Sequence, residues 1–370
     1  MSLSGFATPE GTAAYRHRVR ARVVPEHFRQ LDQCWLSSVG IGTYLGDEDP
    51  ATDKLYRGAV TRALELGANV IDTAINYRHQ RSERAIGEAL RSLVGEGRLG
   101  REEVVVATKG GFIPFDGAIP SDPGAYFTDT YLRPGIMRPE EVVAGYHCMT
   151  PRYLADQLDR SRRNLGLDTL DIYYLHNPET QLGEVDRALF LRRIRETFVW
   201  LERAAAEEKI RHYGTATWNG YRQPSGAQDY LSLSELAAVA REVAGAQHHF
   251  RVIQLPFNLA MTEAFTRANQ TVDGDTVSTL EACRRLGIYA MASASIYQGQ
   301  LTRGLPAVLG QHLPGLASDA QRALQFTRSI PGLGTALVGM KRVAHVEENL
   351  GVAKTPPAPW SQFQRFFTEA

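Results

Sequence analysis

Cysteine is scarce in this chain: three residues, Cys34, Cys148 and Cys283, among 370. They are too few and too far apart to frame a disulfide scaffold, and none stands with a second Cys or a His at zinc-ligand spacing. A reducing compartment and no metal site are therefore the expectation. Net charge is also missing. The 41 Lys and Arg balance the 41 Asp and Glu, which removes the electrostatic case for nucleic acid or an anionic membrane surface as partner and leaves a small molecule. No apolar run reaches the ~20 residues of a membrane span, and the N-terminal residues lack the apolar core of a secretory signal. The basic series Arg16, Arg18, Arg20, Arg22 reads as a solvated arm ahead of a transit peptide, so a cytoplasmic location is expected. A glycine-rich G-x-G-x-x-G turn is absent after the first apolar run, which argues against a Rossmann-type dinucleotide site.

What is present is alternation. Eight short β-branched or apolar runs recur, at 38–44, 69–74, 104–109, 170–176, 212–218, 252–257, 288–294 and 335–340, and most are separated by segments with helical spacing of apolar positions. Between the first two runs Leu55, Ala59, Ala63 and Leu66 share a helical face. Thr150 and Pro151 open another helix carrying Tyr153, Leu154, Leu158 and Leu165. Parallel strands with helical crossovers follow, as an open doubly wound sheet or as a closed (β/α)8 TIM barrel, for which eight is the required number. Polar residues favour the barrel. Asp72, Lys109 and His176 close the second, third and fourth runs and Thr217 and Asn219 fall at the end of the fifth, and a barrel gathers such ends on one face. The expected organisation is an N-terminal extension over 1–36, a single α/β barrel over 37–352 with a long loop after strand 3 at 112–149, and a C-terminal tail over 353–370.

Taken together, four of these side chains have a chemical logic. A tyrosine titrates near ~10 and is a poor proton donor at neutral pH; an ammonium nearby stabilises the phenolate and lowers that value. Lys109 can do this for Tyr77, Asp72 is the counter-ion a desolvated lysine needs, and His176 can steer a carbonyl oxygen. In their contexts, IDTAINY, VVVATKGG and LDIYYLHNPE, these residues resemble the catalytic tetrad of the aldo-keto reductases, and the likeness runs from about Ser38 to Gly351. The resemblance implies an oxidoreductase that passes a hydride between NADP(H) and a carbonyl/alcohol pair, with Tyr77 as acid/base, Lys109 as its modulator, Asp72 as the partner of the lysine and His176 as substrate orienter.

Cofactor residues follow from the same resemblance. The segment Val338-Gly339-Met340-Lys341-Arg342 and the later Glu347-Glu348-Asn349 are similar to the last strand and last helix of the family. They imply Gly339 and Lys341 at phosphate, His345 nearby, and Glu348 and Asn349 at adenine, with NADP(H) favoured through Lys341 and Arg342 and NAD(H) left open. Gln254 corresponds to the glutamine that meets the nicotinamide amide. Two positions depart from the pattern. Ala216 stands where a hydrogen-bonding residue is usual, so Thr217 or Asn219 has to serve, and Ser293 stands where many members carry a stacking ring, a role left to Tyr297 or Trp218. Substrate choice is expected from the long loop and from Asn76, Arg78 and His79; Tyr126, Phe127 and Tyr131 either roof a pocket or anchor that loop. His147 and Cys148 read as packing residues, Asn258 as a loop cap, and the spacing of Trp360, Phe363, Phe366 and Phe367 as a tail helix packed on the barrel. The contrasting function is a nucleotide-binding sensor or regulatory subunit with residual turnover. Oligomeric state is left open.

Overall fold

Periodicity of two along each apolar run decides the architecture. In the computed structural model, which describes residues 2–368, β1 (Val39–Gly42), β2 (Val70–Asp72), β3 (Val105–Gly110), β4 (Leu170–His176), β5 (Ile210–Ala216), β6 (Phe250–Pro256), β7 (Tyr289–Ser293) and β8 (Leu333–Gly339) form a closed parallel barrel, β8 pairing with β1. The crossover helices are α1 (Pro50–Leu66), α2 (Arg81–Gly95), α3 (Pro151–Leu165), α4 (Arg187–Ala206), α5 (Leu233–Ala244), α6 (Thr279–Leu286) and α7 (Asp319–Ser329), with α8 (Val343–Leu350) after the last strand. The expected (β/α)8 fold is the observed one. β5 starts and ends two residues earlier than its apolar run suggests, so Thr217 and Asn219 lie in the loop beyond it.

Alternate residues fill the barrel and its jacket. Val70, Val105, Ala107, Ile172, Tyr174, Val252, Met291 and Leu337 make one interior cluster, while their neighbours Ile71, Val106, Tyr173, Ile253 and Val338 pack outward against the helices. Two residues further up the inward series come Asp72, Lys109, His176, Gln254, Ser293 and Gly339. The pattern that buries the core thus carries a polar layer to the C-terminal mouth of the barrel.

A hairpin ahead of β1, Phe28–Leu31 with Cys34–Ser37, seals the other end and sends Leu31 and Leu36 into the interior cluster. Buried Asn69 holds it there, accepting from the Ser37 N–H at 2.8 Å and donating to the Trp35 carbonyl at 2.8 Å. At the C-terminus, Phe363 is buried against Phe326 with ring centres 5.0 Å apart, so the aromatic tail packs on the barrel as its spacing suggests.

One local expectation is corrected and one open alternative is resolved. On α1 the buried face is Thr52, Tyr56, Ala59, Val60, Ala63 and Leu64, and Leu55 is exposed; the bulk of Tyr56 and Val60 turns the helix away from the face read from Leu55 and Leu66. Within the long loop, Tyr131 is fully buried, donates to the Pro114 carbonyl at 2.9 Å and packs on Tyr153 of α3. Tyr126 and Phe127 pack on Tyr131. These three rings anchor the loop and do not roof the cavity.

Two histidines are buried without charge. His27 lies 3.1 Å from the Gly67 carbonyl and 3.0 Å from the Ser38 hydroxyl, and burial pushes its pKa down to about 3; burial likewise pushes His147 down to about 4. An unfolded histidine takes up a proton near pH ~6.5, and these two refuse it when folded. Stability is therefore lost as pH falls below ~6.5, by about 1.4 kcal/mol per pH unit for each group until its folded pKa is reached. Thermal unfolding should show a lower midpoint at pH 5 than at pH 7, and replacing His27 by Asn should flatten that dependence.

Candidate active site

The polar layer at the mouth borders a cavity of about 780 Å³. Beneath it lies Lys109, fully buried, whose Nζ donates to Asp72 Oδ2 and to the Thr73 carbonyl, both at 2.7 Å. The second oxygen of Asp72 accepts from Gln254 Nε2 at 2.7 Å. Burial draws the Lys109 ammonium down against the opposing pull of Asp72. Because both ions are desolvated, each needs the other and the added hydrogen bonds to remain charged.

Tyr77 sits above this pair, its ring centre 5.0 Å from the ammonium. The expected depression of its pKa does not occur. Burial first, and then the Asp72 charge, raise the phenol well above its ordinary value, so it holds its proton. Desolvation of the phenolate is the largest cause, and the Asp72 carboxylate adds to it in the same direction.

A tight turn follows immediately. Arg78, His79 and Gln80 all have left-handed backbones, with φ of 49°, 50° and 72°, a conformation that costs about 1–3 kcal/mol at a non-glycine residue and needs surrounding support. The buried Arg78 supplies it by pairing with Asp53 at 2.7 Å and donating to the Asp47 carbonyl at 2.8 Å. Gln80 donates to the Phe115 carbonyl at 2.9 Å. Arg78 and His79 thus hold the turn outside the cavity and do not meet its contents, whereas Asn76 does line it.

His176 faces Tyr77 edge-on at 5.9 Å and Phe112 at 4.8 Å. Burial, with Lys109 and His147 adding to it, takes its pKa far below the usual value, so the ring is neutral, and its Nδ1 is buried without a partner. Its backbone is held by His147, whose Nε2 lies 2.8 Å from the His176 carbonyl and must therefore carry the ring proton; Nδ1 accepts from Gln181 at 2.8 Å. The packing role read for His147 thus includes holding this strand end. Gly111, φ 143°, permits the contact, since a Cβ there would stand 2.9 Å from both the His147 ring and the His176 carbonyl.

The loop beyond β5 is pinned by Glu179, a residue not singled out from the sequence, which accepts from the N–H groups of Trp218 at 2.7 Å and Asn219 at 3.1 Å. The signal available was its place in LHNPE, three residues after His176. Thr217 consequently turns into the cavity with its hydroxyl buried and unpartnered. Asn219 does not line the cavity; its backbone serves Glu179 instead. Of the two rings considered for stacking, Trp218 lines the cavity and Tyr297 does not. Asn258 caps its loop, donating to the Ala294 carbonyl at 3.0 Å.

The cavity extends to the end of β8 and the start of α8. Gly339, Lys341, His345, Glu348 and Asn349 all line it, as do Gln254 and Ser293. A Cβ on Gly339 would project into open space, meeting nothing within 4 Å. No carboxylate among the described residues pairs with Lys341, and the N-terminus of α8 beside it has no side-chain cap. An unpaired ammonium, an uncapped helix start and a bare backbone form a setting that suits an anion.

The structure thus joins a closed parallel barrel, a cluster of titratable side chains at its C-terminal mouth and an anion-suited stretch at its last strand. The model of the Aldo/keto reductase family matches residues 38–304, and the chain belongs to that family. It is 28% identical over 207 residues to an NADH-specific methylglyoxal reductase of Escherichia coli, covering 54% of this chain and 53% of that protein. An uncharacterized oxidoreductase of Schizosaccharomyces pombe is 25% identical over 313 residues, covering 83% and 76%. Among solved structures, an aldo/keto reductase of Klebsiella pneumoniae in complex with NADP and acetate aligns with a TM-score of 0.60 at 20% identity, covering 93% of this chain and 96% of that one. A glycerol dehydrogenase of Gluconobacter oxydans aligns with a TM-score of 0.64 at 17% identity, covering 93% and 95%.

The buried pair generates a stability prediction. Lys109→Met should lower the unfolding free energy by about 3–5 kcal/mol, because Asp72 is left buried and uncompensated, and adding Asp72→Asn should restore part of it. Urea unfolding of both variants measures this; no recovery in the double variant would mean that packing, not charge, governs the site.

Proposed function

We propose that this chain is an NADP(H)-dependent carbonyl reductase or alcohol dehydrogenase. The observation that carries the reading is the buried Lys109–Asp72 pair lying beneath Tyr77 and beside His176, on the wall of one cavity whose far end holds an unpaired Lys341. The orphaned Thr217 hydroxyl and the open face of Gly339 fit a nicotinamide dinucleotide. Thr217, Gln254 and Ser293 would hold the nicotinamide end, and Gly339 would allow the backbone to approach phosphate. Lys341 would meet the adenosine phosphate that sets NADP(H) apart from NAD(H), and His345, Glu348 and Asn349 would hold the adenosine. When bound, the nicotinamide supplies a hydride to the carbonyl carbon or takes one from the alcohol.

The residues of the chain do the rest. Tyr77 keeps its proton in the resting site and gives it to the carbonyl oxygen as negative charge develops there, a transfer from a phenol to a far stronger base. His176, uncharged, orients that oxygen through a hydrogen bond. Lys109 stays beneath, balancing charge that moves onto the Tyr77 oxygen. In the reverse direction Tyr77 must first lose its proton, which its burial opposes, so oxidation is expected to need a higher pH than reduction. The presence of NADP in a solved relative supports this cofactor, and the NADH-specific relative keeps NAD(H) in view.

Tyr77→Phe should lower kcat by about 10²–10⁴-fold with little change in NADPH binding. Turnover of an aldehyde panel and a fluorescence titration check the two halves; full activity in this variant contradicts the proton-donor assignment. Lys341→Ala should raise the Kd for NADPH by about tenfold, some 1.4 kcal/mol, and leave that for NADH nearly unchanged. Equal weakening of both would remove Lys341 from the discrimination.

A further inference from the structure

Behind the strand that carries Lys109 lies a second buried carboxyl group. Glu83, on α2, is fully buried. Its Oε1 accepts from the hydroxyl of Thr108 at 2.6 Å, and its Oε2 accepts from Asn164 Nδ2 on α3 at 2.9 Å. Thr108 and Lys109 are successive on β3, so their side chains leave opposite faces of the strand. Asp72 meets the lysine inside the barrel, and Glu83 stands outside it. Gly87 lets α2 and α3 close on each other there, since a Cβ at that position would stand 2.6 Å from the Asn164 carbonyl.

The hydrogen bonds are those of an ionised group. Asn164 Oδ1 accepts from Arg84 Nε at 3.1 Å, and an arginine can only donate, so the amide is oriented and its Nδ2 must donate. The Thr108 contact has the length of a charge-assisted O–H···O⁻ bond. Both carboxylate oxygens are therefore acceptors, and these donors oppose the burial that raises the Glu83 pKa. Among the described residues no Lys, Arg or His pairs with Glu83. The adjacent Arg84 is spent on Asn164 and on Asp116, at 2.6 Å. The cation that answers Glu83 lies across the strand: burial draws the Lys109 ammonium down, and Asp72 and then Glu83 hold it up. The same Asn164 amide donates to Gln80 Oε1 at 3.1 Å, in the left-handed turn that follows Tyr77.

Building on the reductase reading, we infer that Glu83 is a positioning residue for that reaction: its carboxylate keeps Lys109 charged from outside the barrel and, through Asn164 and Gln80, steadies the turn beside Tyr77. The groups that face Lys109 are Asp72 on β2, Tyr77 on the loop beyond it, His176 on β4 and Glu83 behind β3. Glu83 itself is faced by Tyr173 of β4 and by Arg84 of its own helix. His176 is neutral and Tyr77 holds its proton, so Lys109 is the member of the site that loses one first as pH rises. Removing a negative charge from its surroundings moves that loss to lower pH.

The test follows isotope-labelled lysine Cε resonances of the free protein over roughly pH 6 to 11. Lys54, Lys209, Lys341 and Lys354 are the other lysines, and Lys109→Met identifies the signal. Glu83→Gln should lower the Lys109 midpoint by about one pH unit, whereas Glu83→Asp, which keeps the charge, should leave it nearly in place. The double variant Thr108→Val with Glu83→Met replaces both bonded partners by apolar groups and should lower the midpoint as Glu83→Gln does, so the comparison survives if the single variant does not fold. In aldehyde reduction at saturating NADPH, the alkaline fall of kcat should move down by the same amount in the variants that lack the charge. A Lys109 midpoint unmoved by loss of the charge, or lowered equally in Glu83→Asp, overturns the inference and makes Glu83 a structural residue. A midpoint that falls as expected, in a protein that binds NADPH but reduces no aldehyde, leaves the charge relation standing and overturns the reductase reading.

Discussion

An ammonium and a carboxylate 2.7 Å apart inside a barrel are an expensive arrangement, and the mouth of this molecule is organised around keeping them charged. Lys109 spends its donors on Asp72 and the Thr73 carbonyl; Asp72 spends its second oxygen on Gln254. These contacts bind the ends of β2, β3 and β6 into one unit. Tyr77 is placed above the ammonium by the loop that starts at Asp72, and the turn after Tyr77 is in turn held by Arg78 and Gln80. Loss of either ion would free the other to unfold this corner.

The barrel makes such a site affordable by sealing itself elsewhere. The N-terminal hairpin closes the floor with Leu31 and Leu36, and the interior layers between floor and mouth are apolar. The polar layer that faces the cavity thereby lies at the mouth, where helices and long loops can serve it. His147 on the His176 carbonyl and Glu179 on the loop beyond β5 are two instances: each comes from outside the barrel strands and fixes a strand end by hydrogen bonds to its backbone. Side chains facing the cavity are thus free to leave polar atoms unpaired, as Thr217 and His176 do.

Much of this was legible in the sequence, for a definite reason. Strand alternation and the residues that close each strand are local properties, so the eight strands and the positions of Asp72, Lys109 and His176 can be read along the chain. Thr217, Gln254, Ser293, Gly339, Lys341, His345, Glu348 and Asn349 also reach the same cavity, since each follows from its place at a strand or helix end. What could not be read depends on contacts distant in sequence. Arg78 looks like a cavity residue until Asp53 is seen to hold it. Asn219 is diverted by Glu179, forty residues earlier. The phenol of Tyr77 is the clearest case: the expectation of a lowered pKa weighed the lysine and its counter-ion but not the desolvation of the phenol itself.

The account stands most directly on that protonation state. Ultraviolet difference titration of the free protein against Tyr77→Phe, from pH 6 to about 10, reports the Tyr77 phenolate alone, because the other tyrosines cancel. No phenolate signal over that range is the predicted result. A titration near pH 7 to 8 would mean that the Lys109 ammonium outweighs desolvation at the phenol, and the description of a proton-holding Tyr77 would be wrong.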